Sequence, residues 1–98
     1  MGNDHQLLSR LRAGDVYALH LIYEMYRDRL VAVSTSMYPD VDVAEDIVQD
    51  VFISFYHNAP RLQLRSSLFH YLCTGIRNSV RDLLRKHVRR KRTSPPPS

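Results

Sequence analysis

The chain is short of the features that announce most protein classes. It has one cysteine, Cys73, so no internal disulfide can form, and that residue falls in an apolar helical pattern that reads as a small buried hydrophobe rather than a redox centre. No stretch approaches the roughly 20 consecutive apolar residues of a membrane span, so no membrane insertion is expected. The start, Met1-Gly2-Asn3-Asp4-His5, lacks the basic-then-apolar layout of a signal peptide, and the chain is expected to be soluble and to stay where it is made. His5, His20, His57, His70 and His87 are scattered without metal-ligand spacing, and no metal or other cofactor is expected. There is no nucleotide-binding motif, no Ser-His-acid series and no paired-carboxylate site; Asp46 and Asp50 with Glu45 are a weak candidate for Mg²⁺, and the chain reads as a non-enzyme.

What is present is charge, and it is divided. Residues 1–60 carry nine Asp and Glu against four Arg, whereas residues 61–98 carry ten Arg and Lys against the single Asp82. A formal net charge of +4 hides this split. Opposite halves in one small chain point to two partners, the basic half facing a polyanion, because clustered Lys and Arg displace counterions from phosphates. At 98 residues and 44% apolar content there is material for one domain with a modest core, plus a tail.

Nothing alternates with period two for long enough to make a strand, whereas apolar residues recur at helical spacing in three long segments. The expected fold is all-α, a compact bundle of one short and three long helices. The short helix is expected over Asp4 to Arg12 with Asp4 as N-cap and Leu7, Leu8 and Leu11 on one face, ended by Ala13-Gly14. Asp15 caps a second helix from about Val16 to Met37, with Leu19, Ile22, Tyr23, Tyr26, Leu30 and Val33 as its apolar stripe and Pro39 as its stop. The third is expected to start at Asp42, where Asp42-Val43-Ala44-Glu45 has the side-chain types of a capping box, and to end near His57.

Residues 58–66 break the periodicity and form a loop, after which Ser66 or Ser67 caps the fourth helix. That helix turns Leu68, Leu72, Ile76, Val80, Leu83 and Leu84 toward the core, with Arg77, Arg81, Arg85 and Arg89 at i+4 spacing along another side. The domain is expected over residues 4–90. Residues 91–98, basic and then Pro-rich, read as a linker or free tail in extended polyproline geometry, a position suited to a tether before a further domain.

Two charged surfaces carry the candidate functions. Asp46, Gln49 and Asp50 lie at i, i+3 and i+4 on a face opposite Ile47, Val48, Val51 and Phe55, with Asp42 and Glu45 nearby. One reading is a solvated face near a helix N-terminus, where acids favour the macrodipole; the other is a docking surface for a basic partner. The ridge of Arg77, Arg81, Arg85, Lys86 and Arg89, followed by Arg90-Lys91-Arg92, is either a solvated cationic face or a phosphate-binding one.

The segment Ala44-Glu45-Asp46-Ile47-Val48-Gln49-Asp50-Val51-Phe52 resembles region 2 of bacterial RNA polymerase sigma factors of the extracytoplasmic-function group. The upstream series Leu7-Leu8, Gly14-Asp15 and Ala18-Leu19 is similar to that family's opening, and Tyr71-Leu72, Arg77-Asn78 and Asp82-Leu83-Leu84-Arg85 to its later series. The likeness covers about residues 5–92. Two positions depart from it: Tyr71 stands where many members have Trp, and Gly75 where many have an aliphatic residue. Gly75 within a helix costs roughly 1 kcal/mol relative to Ala and leaves a dent for a neighbour to fill. The family's second domain, a helix-turn-helix, is not in this chain, which reads as the first domain alone.

The resemblance implies a cytoplasmic, bacterial transcription initiation module. It assigns Asp46, Gln49 and Asp50, with Glu45 and Tyr56 beside them, to the clamp helices of the largest subunit of core RNA polymerase, and it adds an anti-sigma factor as a further partner. It implies that the basic half holds the non-template strand of a melted minus-ten promoter element, with a base flipped into a pocket made by residues 58–66 and the start of the fourth helix. Arg61, Gln63, Arg65, Arg77, Asn78, Arg81, Arg85, Lys86 and Arg89 are the residues offered for that role, cations for backbone and amides for bases. Asn78 either meets a base edge or pins a loop, Tyr71 is either core or stacking platform, and Phe52 either core or interface. With no nucleotide site, opening would be driven by capture of the separated strand. A second reading of another class is a non-catalytic helical adaptor that binds protein only.

Overall fold

The computed structural model describes the backbone of residues 3–93 and the side chains of residues 4–87. Four helices succeed one another, α1 (Asn3–Arg12), α2 (Val16–Met37), α3 (Val41–Asn58) and α4 (Leu68–Thr93), with a short 3-10 turn at Ala59–Arg61. The described residues contain no strand, as the lack of period-two alternation required. No helix is long and apolar enough to cross a membrane, among the described residues.

Local chemistry sets the corners. Gly14 adopts φ +96°, a left-handed conformation that any Cβ would strain, and so turns the chain between α1 and α2. Asp15 then accepts the Tyr17 N–H at 3.1 Å as N-cap of α2 and pairs with Arg10 at 2.8 Å. At the far end Tyr38 is extended, as the residue before a proline must be, and α2 stops there.

Three sequence expectations about helix starts and faces change. Asp4 is not the N-cap of α1, which begins at Asn3; its carboxylate is used elsewhere, on Tyr26 and on α4. The N-cap of α3 is Asp40, not Asp42: Asp40 is extended and its side chain accepts the Val43 N–H at 3.1 Å. Asp40 holds that place because its backbone is extended and its carboxylate reaches the Val43 N–H, leaving Asp42 inside the first turn, and Glu45 turns sideways to Arg27 rather than back to the cap. Leu84 is 47% exposed instead of buried, since the long helix runs past the end of the bundle that covers Leu68, Leu72, Ile76 and Val80. The expected domain boundary at residue 90 falls within α4, which carries on to Thr93, so residues 91–93 of the tail expected over 91–98 are helical and residues 94–98 lie outside the described residues.

The core sits where α2, α3 and α4 pack on one another, with α1 laid against α2. Ile22, Leu30, Val48, Phe55, Leu68, Leu72, Ile76 and Val80 are fully buried. Along α2 the buried line is Ala18, Ile22, Tyr26, Leu30 and Ser34 at strict i+4 spacing, a single ridge, while Leu19, Tyr23 and Val33 flank it half-buried. Ala18 and Ser34 were missed because neither is a hydrophobe large enough to enter an apolar pattern. Phe52 is core, edge-on to Tyr23 with ring centroids 4.9 Å apart. Gly75 fits the expected dent: a Cβ there would lie 3.1 Å from Val51 Cγ1, so Val51 is the side chain that fills it.

Candidate functional site

Helix α3 is two-faced by its periodicity. Its core side is buried, and the opposite side projects Asp46, Gln49 and Asp50, all exposed. Among the described residues no salt bridge engages Asp46 or Asp50. Glu45 differs: it is half-buried and 3.5 Å from Arg27, which also donates through Nε to the Tyr23 hydroxyl at 3.2 Å. That hydrogen bond, and more weakly Glu45, push the guanidinium pKa above its ordinary value. The acidic face is therefore Asp46 and Asp50 with Gln49 between them, and Glu45 belongs to a neutralised flank.

The residue that sequence reasoning missed is Ile53. It stands seven after Asp46, four after Gln49 and three after Asp50, in the middle of the exposed face, and is 55% exposed. The signal was available: an aliphatic residue off the core stripe and in phase with the acids. Beside it, Val16, Leu19, His20, Tyr23, Phe52, Ile53 and Tyr56 line an apolar groove of about 300 Å³ between the start of α2 and the end of α3. Tyr56, 41% exposed, forms its rim. Acid and apolar surface thus adjoin on one helix.

The basic side is spread over two elements. Arg61, Gln63 and Arg65 are exposed on the connection between α3 and α4, and Arg77, Asn78, Arg81, Arg85 and Lys86 are exposed on α4. Arg77, Arg81 and Arg85 share a stripe, Asp82 reaching only Arg85 and only at 4.0 Å between two exposed side chains, a distance with little energetic weight. Lys86, nine residues after Arg77, projects about half a turn away from it. The side chain of Arg89 lies outside the described ones.

Between the two surfaces α3 and α4 enclose a cleft of about 430 Å³ lined by Asp50, Val51, Ser54, Tyr71, Thr74, Gly75, Asn78 and Ser79. Gly75 and the Val51 side chain that packs on it both line the cleft. The fold brings Asp50 of the acidic set and Asn78 of the basic set to one cleft, and leaves Arg61, Gln63 and Arg65 outside it. No residue of 58–66 lines this cavity, so it is distinct from the pocket expected at the loop. Tyr71 is half-buried and packs against the core, its ring tilted on Phe55 with centroids 6.1 Å apart, and it also lines the cleft. Cys73 is buried, and burial pushes its thiol pKa up, which suits a packing residue rather than a nucleophile.

The molecule thus presents an acidic-apolar face on α3 and a cationic stripe on α4. The sigma-70 region 2 family model matches residues 22–90, and the chain belongs to that family. Membership makes it a sigma-factor domain concerned with transcription initiation. Its fold is similar to that of an engineered region 2 of sigmaE, solved by NMR in complex with GTAAAA, with a TM-score of 0.77 and 24% sequence identity over 89% of this chain and 90% of that one. Comparison with curated proteins finds no match.

Proposed function

We propose that this domain works as an extracytoplasmic-function sigma region 2, docking on the clamp helices of core RNA polymerase through α3 and holding the melted minus-ten element through α4 and the loop before it. The observation that carries the polymerase half is the exposed, unpaired Asp46 and Asp50 beside apolar Ile53. Charge steers a basic coiled coil into register, and burial of Ile53 and Tyr56 supplies the dry contact that charge alone does not. The nucleic-acid half is supported by the exposed stripe of Arg77, Arg81 and Arg85 with Arg61 and Arg65, and by the sigmaE relative having been solved with GTAAAA. Asn78, which lines the cleft beside this stripe, is the amide proposed to meet a base edge.

The docking test is charge reversal. Asp46→Arg with Asp50→Arg is expected to weaken binding to core polymerase by roughly tenfold or more at low salt, because two attractive contacts become repulsive. Ile53→Ser is expected to weaken it with little salt dependence. All three substitutions are at exposed positions, so circular dichroism is expected to show an unchanged fold for both variants. Undiminished binding by both variants would move the polymerase contact off α3.

A further inference from the structure

We infer that helix α1 is a brace for the loop of residues 62–67, with Asp4 and Arg12 as its two positioning residues. The inference rests on the proposal that this loop, carrying Gln63 and Arg65 next to Arg61, engages nucleic acid. Its basis is where the two ends of the loop are held. At the near end the Ala59 carbonyl, in the 3-10 turn, accepts Arg12 Nε at 3.0 Å. At the far end the Leu68 N–H, first of α4, donates to Asp4 Oδ2 at 3.1 Å, while Asp4 Oδ1 accepts the Tyr26 hydroxyl at 2.8 Å. These partners are 47 and 64 residues apart in sequence, so α1 reaches across the molecule to both flanks of one loop.

Geometry makes the two contacts a unit. Asp4 and Arg12 are eight residues apart on a single helix, about 12 Å along its axis, so the span between the loop's ends is measured by a rigid ruler. The ruler is itself fixed, because Leu7, Leu8 and Leu11 are buried in the core. The Asp4 carboxylate also lies at the positive end of α4, where it joins Ser67, whose Oγ accepts the His70 N–H at 3.1 Å, in satisfying first-turn donors. The same corner is propped by Phe69, which packs on Tyr26 at 5.6 Å and lies under the Arg29 guanidinium at 4.1 Å.

Asp4 and Arg12 both precede the 22–90 span of the family match. Their contribution is pre-organisation: a loop held in place loses less conformational freedom when a strand binds it.

Asp4→Ala separates this role from electrostatics by sign. Removing a negative charge from a protein that binds a polyanion should tighten binding, whereas loss of a brace should loosen it. In the full chain, amide hydrogen exchange is expected to speed up across residues 62–68 by roughly fivefold, the scale of a lost cap, with α3 amides as protected as before. Binding of a fluorescent single-stranded GTAAAA oligonucleotide is expected to weaken by a similar factor with an unchanged salt slope, since no phosphate-facing cation has gone. Loop exchange at the parent rate would overturn the brace, as would equal or tighter oligonucleotide binding by the variant. If the parent chain itself does not bind the oligonucleotide, the nucleic-acid reading falls, and the exchange rates still decide the brace. Should Asp4→Ala fail to fold, Arg12→Ala, at an exposed side chain, carries the exchange readout at residues 59–63.

Discussion

At the scale of single residues, Gly75 and Val51 show how one position is chosen by another. Alanine at 75 would gain roughly 1 kcal/mol in helix propensity, yet its Cβ would stand 3.1 Å from Val51 Cγ1 in a packed core. The expected outcome is a change of sign with background. Gly75→Ala destabilises the parent by about 1 kcal/mol, because overpacking outweighs propensity, and stabilises the Val51→Ala variant by a similar amount. Urea unfolding of the four proteins measures both. The cost of a helical glycine was legible in the sequence; the side chain that occupies the vacated space was not, since 51 and 75 meet only when α3 packs on α4.

Tyr26 is the residue whose titration reports the fold. Burial first, and then the hydrogen bond to Asp4, raise its pKa from 10.0 to about 12. The neutral phenol is thus the form the folded state prefers, and the unfolded chain ionises first. Stability from this group is complete below about pH 10 and is lost as pH rises toward about 12, on the order of 2 kcal/mol in all. Tyr26→Phe is expected to flatten that part of the stability profile, measured by denaturant unfolding at stepped pH between about 9 and about 12. Nothing in the sequence around Tyr26 signals the shift, because Asp4 lies 22 residues away and on another helix.

Among elements, α3 is the most instructive, since its start and its two faces came from different kinds of information. The capping-box pattern at Asp42 is a matter of residue types and competes with Asp40, two positions earlier and of the same type. What decides is backbone geometry: Asp40 has φ −149° and ψ 112°, extended, and only an extended residue offers its carboxylate to the Val43 N–H. Asp40→Ala is expected to cost about 1 kcal/mol of unfolding free energy and Asp42→Ala a few tenths, the latter through the macrodipole alone. Equal costs would return the cap to Asp42.

The faces of α3 were legible, because 3.6-residue periodicity places Asp46, Gln49 and Asp50 together whatever the rest of the chain does. Which acids remain free was not. Glu45 looks like a member of the series until α2 brings Arg27 to 3.5 Å, a contact across two helices. In α4 the arginine stripe is equally local in origin. The exposure of Leu84 is not, since it depends on where the bundle ends rather than on the helix's own pattern.

For the whole molecule the division of charge becomes a division of surfaces. The acidic face on α3 and the cationic stripe on α4 adjoin through the cleft that holds both Asp50 and Asn78, so two partners would meet at one α3–α4 pair. Counterion release makes the basic side measurable. Each phosphate contact to a single strand contributes about 0.7 to the slope of log affinity against log salt, so Arg77→Gln with Arg81→Gln is expected to make the slope shallower by roughly 1.4. Fluorescence anisotropy with a GTAAAA oligonucleotide over a salt series tests this. An unchanged slope would place the strand elsewhere than along α4.

The sequence alone determined what depends on neighbours within a few turns: helical class, the turn at Gly14, the Asp15 cap, the break before Pro39, the acidic and basic faces, and the family resemblance carried by their residue series. Hydrogen bonding and side-chain direction in a helix are set over three to four residues, and these features are written at that range. Tertiary structure decided what depends on residues far apart in the chain. It gave Asp4 to α4 instead of α1, paired Glu45 with Arg27, set Ile53 beside an apolar groove, filled the Gly75 dent with Val51, and joined Asp50 to Asn78 across one cleft. Those outcomes require the helices to be packed, because burial and long-range hydrogen bonds select among side chains that local spacing leaves equivalent.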